Sequence, residues 1–225
     1  MSASAASIRL RDNLARTRDR IDAACSRSGR DPAGVTLIAV TKYADDSEVQ
    51  ALIDLGVRDF GESRAVEGSA RAARFGGDVR WHFIGHLQTN KTAKVLGAFR
   101  FLHSLDRLAL AEDLQRRCEG RPGRFPVFLQ VNVSGEATKG GFKPEDVPRA
   151  LPLISRDFHR LDPVGLMTMA PAGPPESARP YFRRLRELSE TNPIPLFLSM
   201  GMSNDFQVAI EEGATHVRVG SALFK

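Results

Sequence analysis

Cysteine is nearly missing: Cys25 and Cys118 are the two in 225 residues. Neither has a CxxC partner or metal-ligand spacing, which argues against a disulfide framework and fits a reducing compartment. The histidines His82, His86, His103, His159 and His216 are dispersed. His82 and His86 stand four apart around Gly85 without an HExxH pattern, so no metal site is expected. No apolar run approaches membrane length and the N-terminus lacks a signal-peptide core, so the expectation is a cytoplasmic protein without membrane contact. There is no GxGxxG and no P-loop pattern, which removes nucleotide-binding loops of those kinds. Five arginines crowd the first stretch (Arg9, Arg11, Arg16, Arg18 and Arg20). No aromatic residue interleaves with them, so they read as a solvated helix face and no nucleic-acid partner is expected. The net charge of +5 favours anionic small molecules, phosphates included.

Lysine is scarce as well. Of 32 basic residues six are lysines: Lys42, Lys91, Lys94, Lys139, Lys143 and Lys225. Lys42 closes the run VTLIAVTK, residues 35–42. A short apolar run rich in β-branched residues reads as a strand buried on both faces. A lysine at the end of such a strand is an amine that desolvation can deprotonate. It can then form a Schiff base with an aldehyde, which arginine cannot do. The alternative is a lysine that snorkels out to solvent.

With 42% hydrophobic and 26% charged residues the chain has an ordinary globular composition. Residues 3–29 show helical spacing. Strands are expected near residues 35–42, 57–61, 79–85, 99–104, 126–133, 163–169, 195–200 and 216–221. Helical patterns lie between them, near residues 46–56, 63–73, 89–96, 108–118, 144–154, 177–189 and 205–213. Such alternation implies parallel βαβ crossovers, and eight strands close a barrel. The expected architecture is therefore α/β, a single (β/α)8 TIM-like barrel over residues 1–225. The chain stops just after strand eight, so no eighth helix is expected, and the extra N-terminal helix would cover the strand left bare. A doubly wound open sheet is the rival, but it wants a glycine-rich turn after strand one, where Tyr43-Ala44-Asp45 stands.

Active sites of such barrels lie at the strands' C-terminal ends. Those ends carry Lys42, Glu62, His86, Asp106, Asn132, Met167, the run Ser199-Met200-Gly201-Met202-Ser203 and the run Arg218-Val219-Gly220-Ser221. Barrels often bind phosphate after strands seven and eight, where glycine lets backbone approach an anion and serine adds donors. An aldehyde-reactive lysine with a phosphate cradle points to pyridoxal 5′-phosphate. Glu62, Asn132 and His82 could bond to Lys42, the ring or each other; for His82 a core hydrogen bond is an equal reading.

The runs AVTK (39–42), FGE (60–62), WHFIGHLQTNK (81–91), LQVNVSGEATKGGF (129–142), GLMTM (165–169), LSMGMSND (198–205) and VRVGSALF (217–224) resemble the pyridoxal phosphate homeostasis proteins, the YggS/PROSC family. The resemblance spans nearly the whole chain. It implies a fold type III pyridoxal-phosphate-binding barrel similar to the N-terminal domain of alanine racemase. Lys42 would be the Schiff-base lysine. Ser199, Ser203, Gly220 and Ser221 would surround the phosphate, and Arg218 would face the pyridine nitrogen. Asn132, Met167, Met200 and Gly201 would complete the cofactor site, with no residue assigned a catalytic part.

What the resemblance implies is a carrier of the cofactor without robust turnover, a monomer or weak dimer, with apo-enzymes that use the cofactor as partners. The rival is an amino-acid racemase, which needs a second base opposite the lysine and a further domain or subunit. The chain departs from the family pattern at Ala44, where a second lysine is common, at Ser63 and Arg64 after FGE, and in ending at Lys225 without a basic tail.

Overall fold

A computed structural model of the chain describes residues 5–136, 138–193 and 195–225, with side chains from Ser7 onward. Eight parallel strands close into a barrel in chain order. They are β1 (Thr36–Val40), β2 (Asp59–Glu62), β3 (Arg80–Phe83), β4 (Phe101–Leu105), β5 (Phe125–Gln130), β6 (Leu161–Met167), β7 (Phe197–Met202) and β8 (His216–Val219). Around them run α2 (Asp46–Asp54), α3 (Ala65–Arg74), α4 (Thr92–Ala98), α5 (Leu108–Cys118), α6 (Val147–Asp157), α7 (Arg179–Glu190) and α8 (Phe206–Glu211), with α1 (Ala5–Arg27) in front. The barrel is the expected one. Residues 3 and 4 of the first helix and Ala137 of the loop after β5 lie outside the described residues.

The helices start where local chemistry starts them. Asp45 caps α2 with a full capping box: its carboxylate accepts the Glu48 N–H, and Glu48 reaches back to the Asp45 N–H. Residues 89–91 and 144–146, expected as helix, are single 3₁₀ turns leading into α4 and α6, and the turn at 175–178 leads into α7 from just ahead of the helix expected at 177. The end of the chain differs from expectation. A one-turn helix, α9 (Ser221–Phe224), follows β8. One turn cannot cover a strand, and α1 does so by packing on α2, α8 and α9. Its Asn13 amide donates to the carbonyls of Leu223 and Lys225 at 2.8 and 3.0 Å. Arg20 donates to Gln207 of α8.

Side chains alternate across each strand. One set meets the helices in a continuous apolar layer that includes Phe60, Phe83, Leu102, Leu129, Leu166, Met200 and Val219. The other set fills the barrel's interior, which is only partly apolar. Ile38, Phe128 and Met167 are buried outside the main apolar cluster. His82, His103, Ser199, His216 and Arg218 are buried too and hydrogen-bond or stack with one another. Gly165 makes room on β6: a Cβ there would lie 2.3 Å from the Phe197 carbonyl and 2.7 Å from the Phe128 ring.

Candidate functional site

The strand ends form one mouth, and Lys42 stands on its rim. β1 stops at Val40, where its pairing with Gly61 of β2 ends, and the chain turns. Lys42 is therefore exposed, with its Nζ 5.1 Å from the Tyr43 ring centroid. Of the two readings of this strand end, a desolvated amine and a lysine that snorkels to solvent, the structure shows the second. The apolar run dictates a buried strand but not where its ladder ends, and two residues beyond the ladder suffice to reach solvent.

The backbone around Lys42 is held from behind. Arg71 of α3 donates to the carbonyls of Thr41 (2.7 Å) and Ala44 (2.8 Å). It also donates to Glu62 (2.8 Å), which accepts the Thr41 hydroxyl at 2.7 Å. Arg64 donates to the Lys42 carbonyl itself at 2.7 Å. Glu62 thus faces α3, not the mouth, and works through the backbone. Its carboxylate is 2% exposed, so Arg71→Ala would leave a buried charge with one hydroxyl partner. The expected cost is about 3–5 kcal/mol in a urea titration, with part recovered in the Arg71→Ala/Glu62→Gln double variant. A loss under about 1 kcal/mol would contradict it.

Beside β1, the ends of β7 and β8 make a cradle. Gly201 has φ +90°, and a Cβ would stand 2.5 Å from that of Ala209, so the loop hugs α8 only with glycine there. Asp205 holds this loop by accepting the Met202 N–H at 2.6 Å. The Ser203 hydroxyl accepts N–H groups from Gly220 (3.1 Å) and Ala222 (3.3 Å), which ties it to the start of α9 beside exposed Ser221. Gly220 itself abuts β1: a Cβ would meet the Val40 carbonyl at 3.3 Å. The cradle and Lys42 are therefore neighbours across the β8–β1 seam.

Beneath the mouth lies Arg218, 4% exposed. Its guanidinium donates to the Ser199 hydroxyl (2.7 Å) and the Thr168 carbonyl (2.9 Å). Burial lowers its pKa to about 10, against the pull of Asp205, so it is a cation at neutral pH. Ser199 thus belongs with Arg218, while Ser203 belongs with Gly220. Met167 is buried inside the barrel and Met200 in the sheet–helix layer. The Asn132 amide is engaged in its own loop. It donates to the carbonyls of Glu136 and Lys139 and accepts from the Ser134 hydroxyl and the Gly135 N–H. Among the described residues no cluster of three or more His, Cys, Asp or Glu side chains could hold a metal, and no helix is long and apolar enough to cross a membrane.

An amine at the rim, a hydroxyl-and-amide cradle beside it and a buried cation below suit a phosphorylated aldehyde with a ring between its ends. Relatives of this chain carry the same pattern in their names. The alanine racemase N-terminal domain family matches residues 11–225. The pyridoxal phosphate homeostasis protein of Pseudomonas aeruginosa is 43% identical over 219 residues, covering 95% of this chain and 94% of the relative. That of Aquifex aeolicus is 40% identical over 220 residues, covering 95% and 96%. This chain belongs to the pyridoxal phosphate homeostasis protein family. PipY of Synechococcus elongatus, a structure described as having pyridoxal phosphate bound, is 33% identical and superposes with a TM-score of 0.81, covering 96% of this chain and all of that one.

Against the family pattern two departures now have positions. Ala44, where a second lysine is common, is buried, and its carbonyl is one of the two backbone acceptors of Arg71. Arg64, which departs from the sequence usual after FGE, supplies the bond to the Lys42 carbonyl. Sequence reasoning missed Arg64, Arg71, Asp59, His103 and Asp205. Only Asp205 sits within a motif quoted for the family, and the inward positions of His103 and Asp59 are a signal of alternation alone.

Proposed function

We propose that this chain binds pyridoxal 5′-phosphate at the barrel mouth through Lys42 and serves intracellular homeostasis of that cofactor as a carrier without robust turnover. The observation that carries this is the seam where Gly220 meets Val40, because it sets an anion cradle next to the one lysine at a strand end. When bound, the cofactor supplies an aldehyde that condenses with an amine. Ser203, Gly220 and Ser221 would hold the phosphate, and Arg218 would oppose a proton on the ring nitrogen because a cation disfavours a second cation nearby. Exposure of Lys42 leaves the linkage open to an incoming amine, which suits a carrier that hands its cargo to apo-enzymes in the cytoplasm. A monomer or weak dimer is sufficient for that role.

Racemisation is the rival, since the matching family model is that of a racemase domain. It needs a second acid–base group over the substrate. The chain's two tyrosines are Tyr43, which is 85% exposed, and Tyr181 on α7. Titration of the purified protein with pyridoxal phosphate should produce a visible absorbance band. Incubation of the loaded protein with L-alanine should yield no D-isomer at enzyme-like rates. Turnover above about 1 per second would favour the racemase, and a protein that develops no such band would refute the Lys42 linkage.

A further inference from the structure

A line of hydrogen bonds crosses the barrel beneath the mouth. Asp59 Oδ1 lies 3.0 Å from His82 Nε2, His82 Nδ1 lies 2.9 Å from His103 Nε2, and His103 Nδ1 lies 2.8 Å from Ser199 Oγ. Ser199 Oγ then accepts from Arg218. At the far end Asp59 is paired with Arg80 at 2.6 Å. The rings are fixed by stacking, His82 on Phe101 at 4.6 Å and His103 on Phe128 at 4.1 Å between centroids.

One assignment of protons satisfies every member. Arg218 can only donate, so Ser199 accepts from it and directs its own O–H to His103 Nδ1. His103 is then the Nε2–H tautomer and donates to His82 Nδ1. His82 is also the Nε2–H tautomer and donates to the Asp59 carboxylate. The line is polarised in one sense, with acceptors turned toward Arg218 and a carboxylate at its end. Because arginine neither gives up nor relays a proton here, the line transmits orientation rather than protons.

We propose that the Asp59–His82–His103–Ser199 line is a positioning device for Arg218, with His103 as its key member, setting the guanidinium plane that the cofactor's ring nitrogen meets. This rests on the functional reading above. The planar fork is held at two points, Ser199 and the Thr168 carbonyl, and donating to His103 fixes the Ser199 hydroxyl so that a lone pair faces the guanidinium. The charged and titratable groups around the two rings are Asp59, Arg80, His216 and Arg218. A second proton on His103, at Nδ1, would remove the acceptor that fixes the Ser199 O–H and bring a second cation to Arg218.

The test has two arms. Long-range ¹H–¹⁵N NMR of the unliganded wild-type protein at pH 7 should show both rings neutral with the proton on Nε2. His103→Leu should bind pyridoxal phosphate about tenfold more weakly, the scale of one net hydrogen bond. The pH midpoint of its visible band should shift, because that band follows the imine proton and a displaced guanidinium changes the positive field on it. His103→Gln, whose amide both accepts and donates, should stay close to wild type in both readouts. A ring that is cationic or Nδ1-protonated in the wild type would overturn the proposal, whether or not the leucine variant folds. So would a folded His103→Leu with unchanged affinity and midpoint, or a folded His103→Gln that matches it. Wild-type protein that takes up no pyridoxal phosphate would instead overturn the functional reading, and the positioning role with it, while leaving the tautomers as found.

Discussion

Taken from pH 7 to pH 5, the protein should lose stability at a rate of about 3 kcal/mol per pH unit once below pH 6. The cause is the barrel's interior. Burial drives His103 well below the usual 6.5, drives His216 to about 3, and lowers His82 as well. In the unfolded chain all three titrate near 6.5. Between that value and the folded pKa the unfolded state binds more protons than the folded one, so acid favours unfolding. The histidine contribution is complete above about pH 6.5 and is lost as pH falls toward the folded values. Each ring that stays neutral costs up to about 1.4 kcal/mol per pH unit, and His103 and His216 together account for the rate. Asp59, held at about 2 despite its burial by its bonds to Arg80 and His82, adds a loss of the same sign only below its ordinary 3.8. Urea midpoints at pH 7, 6 and 5 check this. Equal midpoints across that range would mean that the rings accept protons inside the barrel.

Lys42→Ala should remove the visible band of the loaded protein and leave nothing for borohydride to fix, yet change the fold's stability by no more than about 0.5 kcal/mol. The side chain is exposed, with its ammonium beside the Tyr43 ring, so its loss is a surface substitution. The carbonyls that Arg64 and Arg71 hold belong to the backbone and survive the change. Noncovalent binding should persist through Ser203, Gly220 and Arg218, since phosphate and ring contacts do not need the amine. No other lysine is placed to substitute. Lys139 is paired with Glu136, while Lys91, Lys94, Lys143 and Lys225 lie on helices, at helix caps or at the chain's end. Absorbance, borohydride trapping and a urea titration on the variant check each part; a variant still trapped at a single different lysine would overturn the assignment.

The barrel was legible because its strands and helices announce themselves by period, and because eight strands joined by seven crossovers admit few closures. The glycines and serines after strands seven and eight were legible as neighbours, and the structure joins Ser203 to Gly220 and Ala222 there. Lys42's exposure was one of two readings left open, since a run of apolar residues says that a strand is buried without saying where its pairing stops. The polar interior was half legible. In RWHF, FLHSL and HVRV the histidines and Arg218 fall at the inward positions between residues that face the helices, but period-2 patterning alone does not distinguish a polar interior from a solvated face. The clamp of Arg64 and Arg71 had no sequence signal, because an arginine on a helix or at its start reads the same whether it meets water or a carbonyl.

The central claim is that Lys42 is the residue that carries the cofactor. Its most direct test is to load the wild-type protein with pyridoxal phosphate, reduce with borohydride, digest, and locate the modified peptide by mass. A single pyridoxyl adduct on Lys42 is the predicted result. No adduct, or one confined to any of the other five lysines, would contradict it.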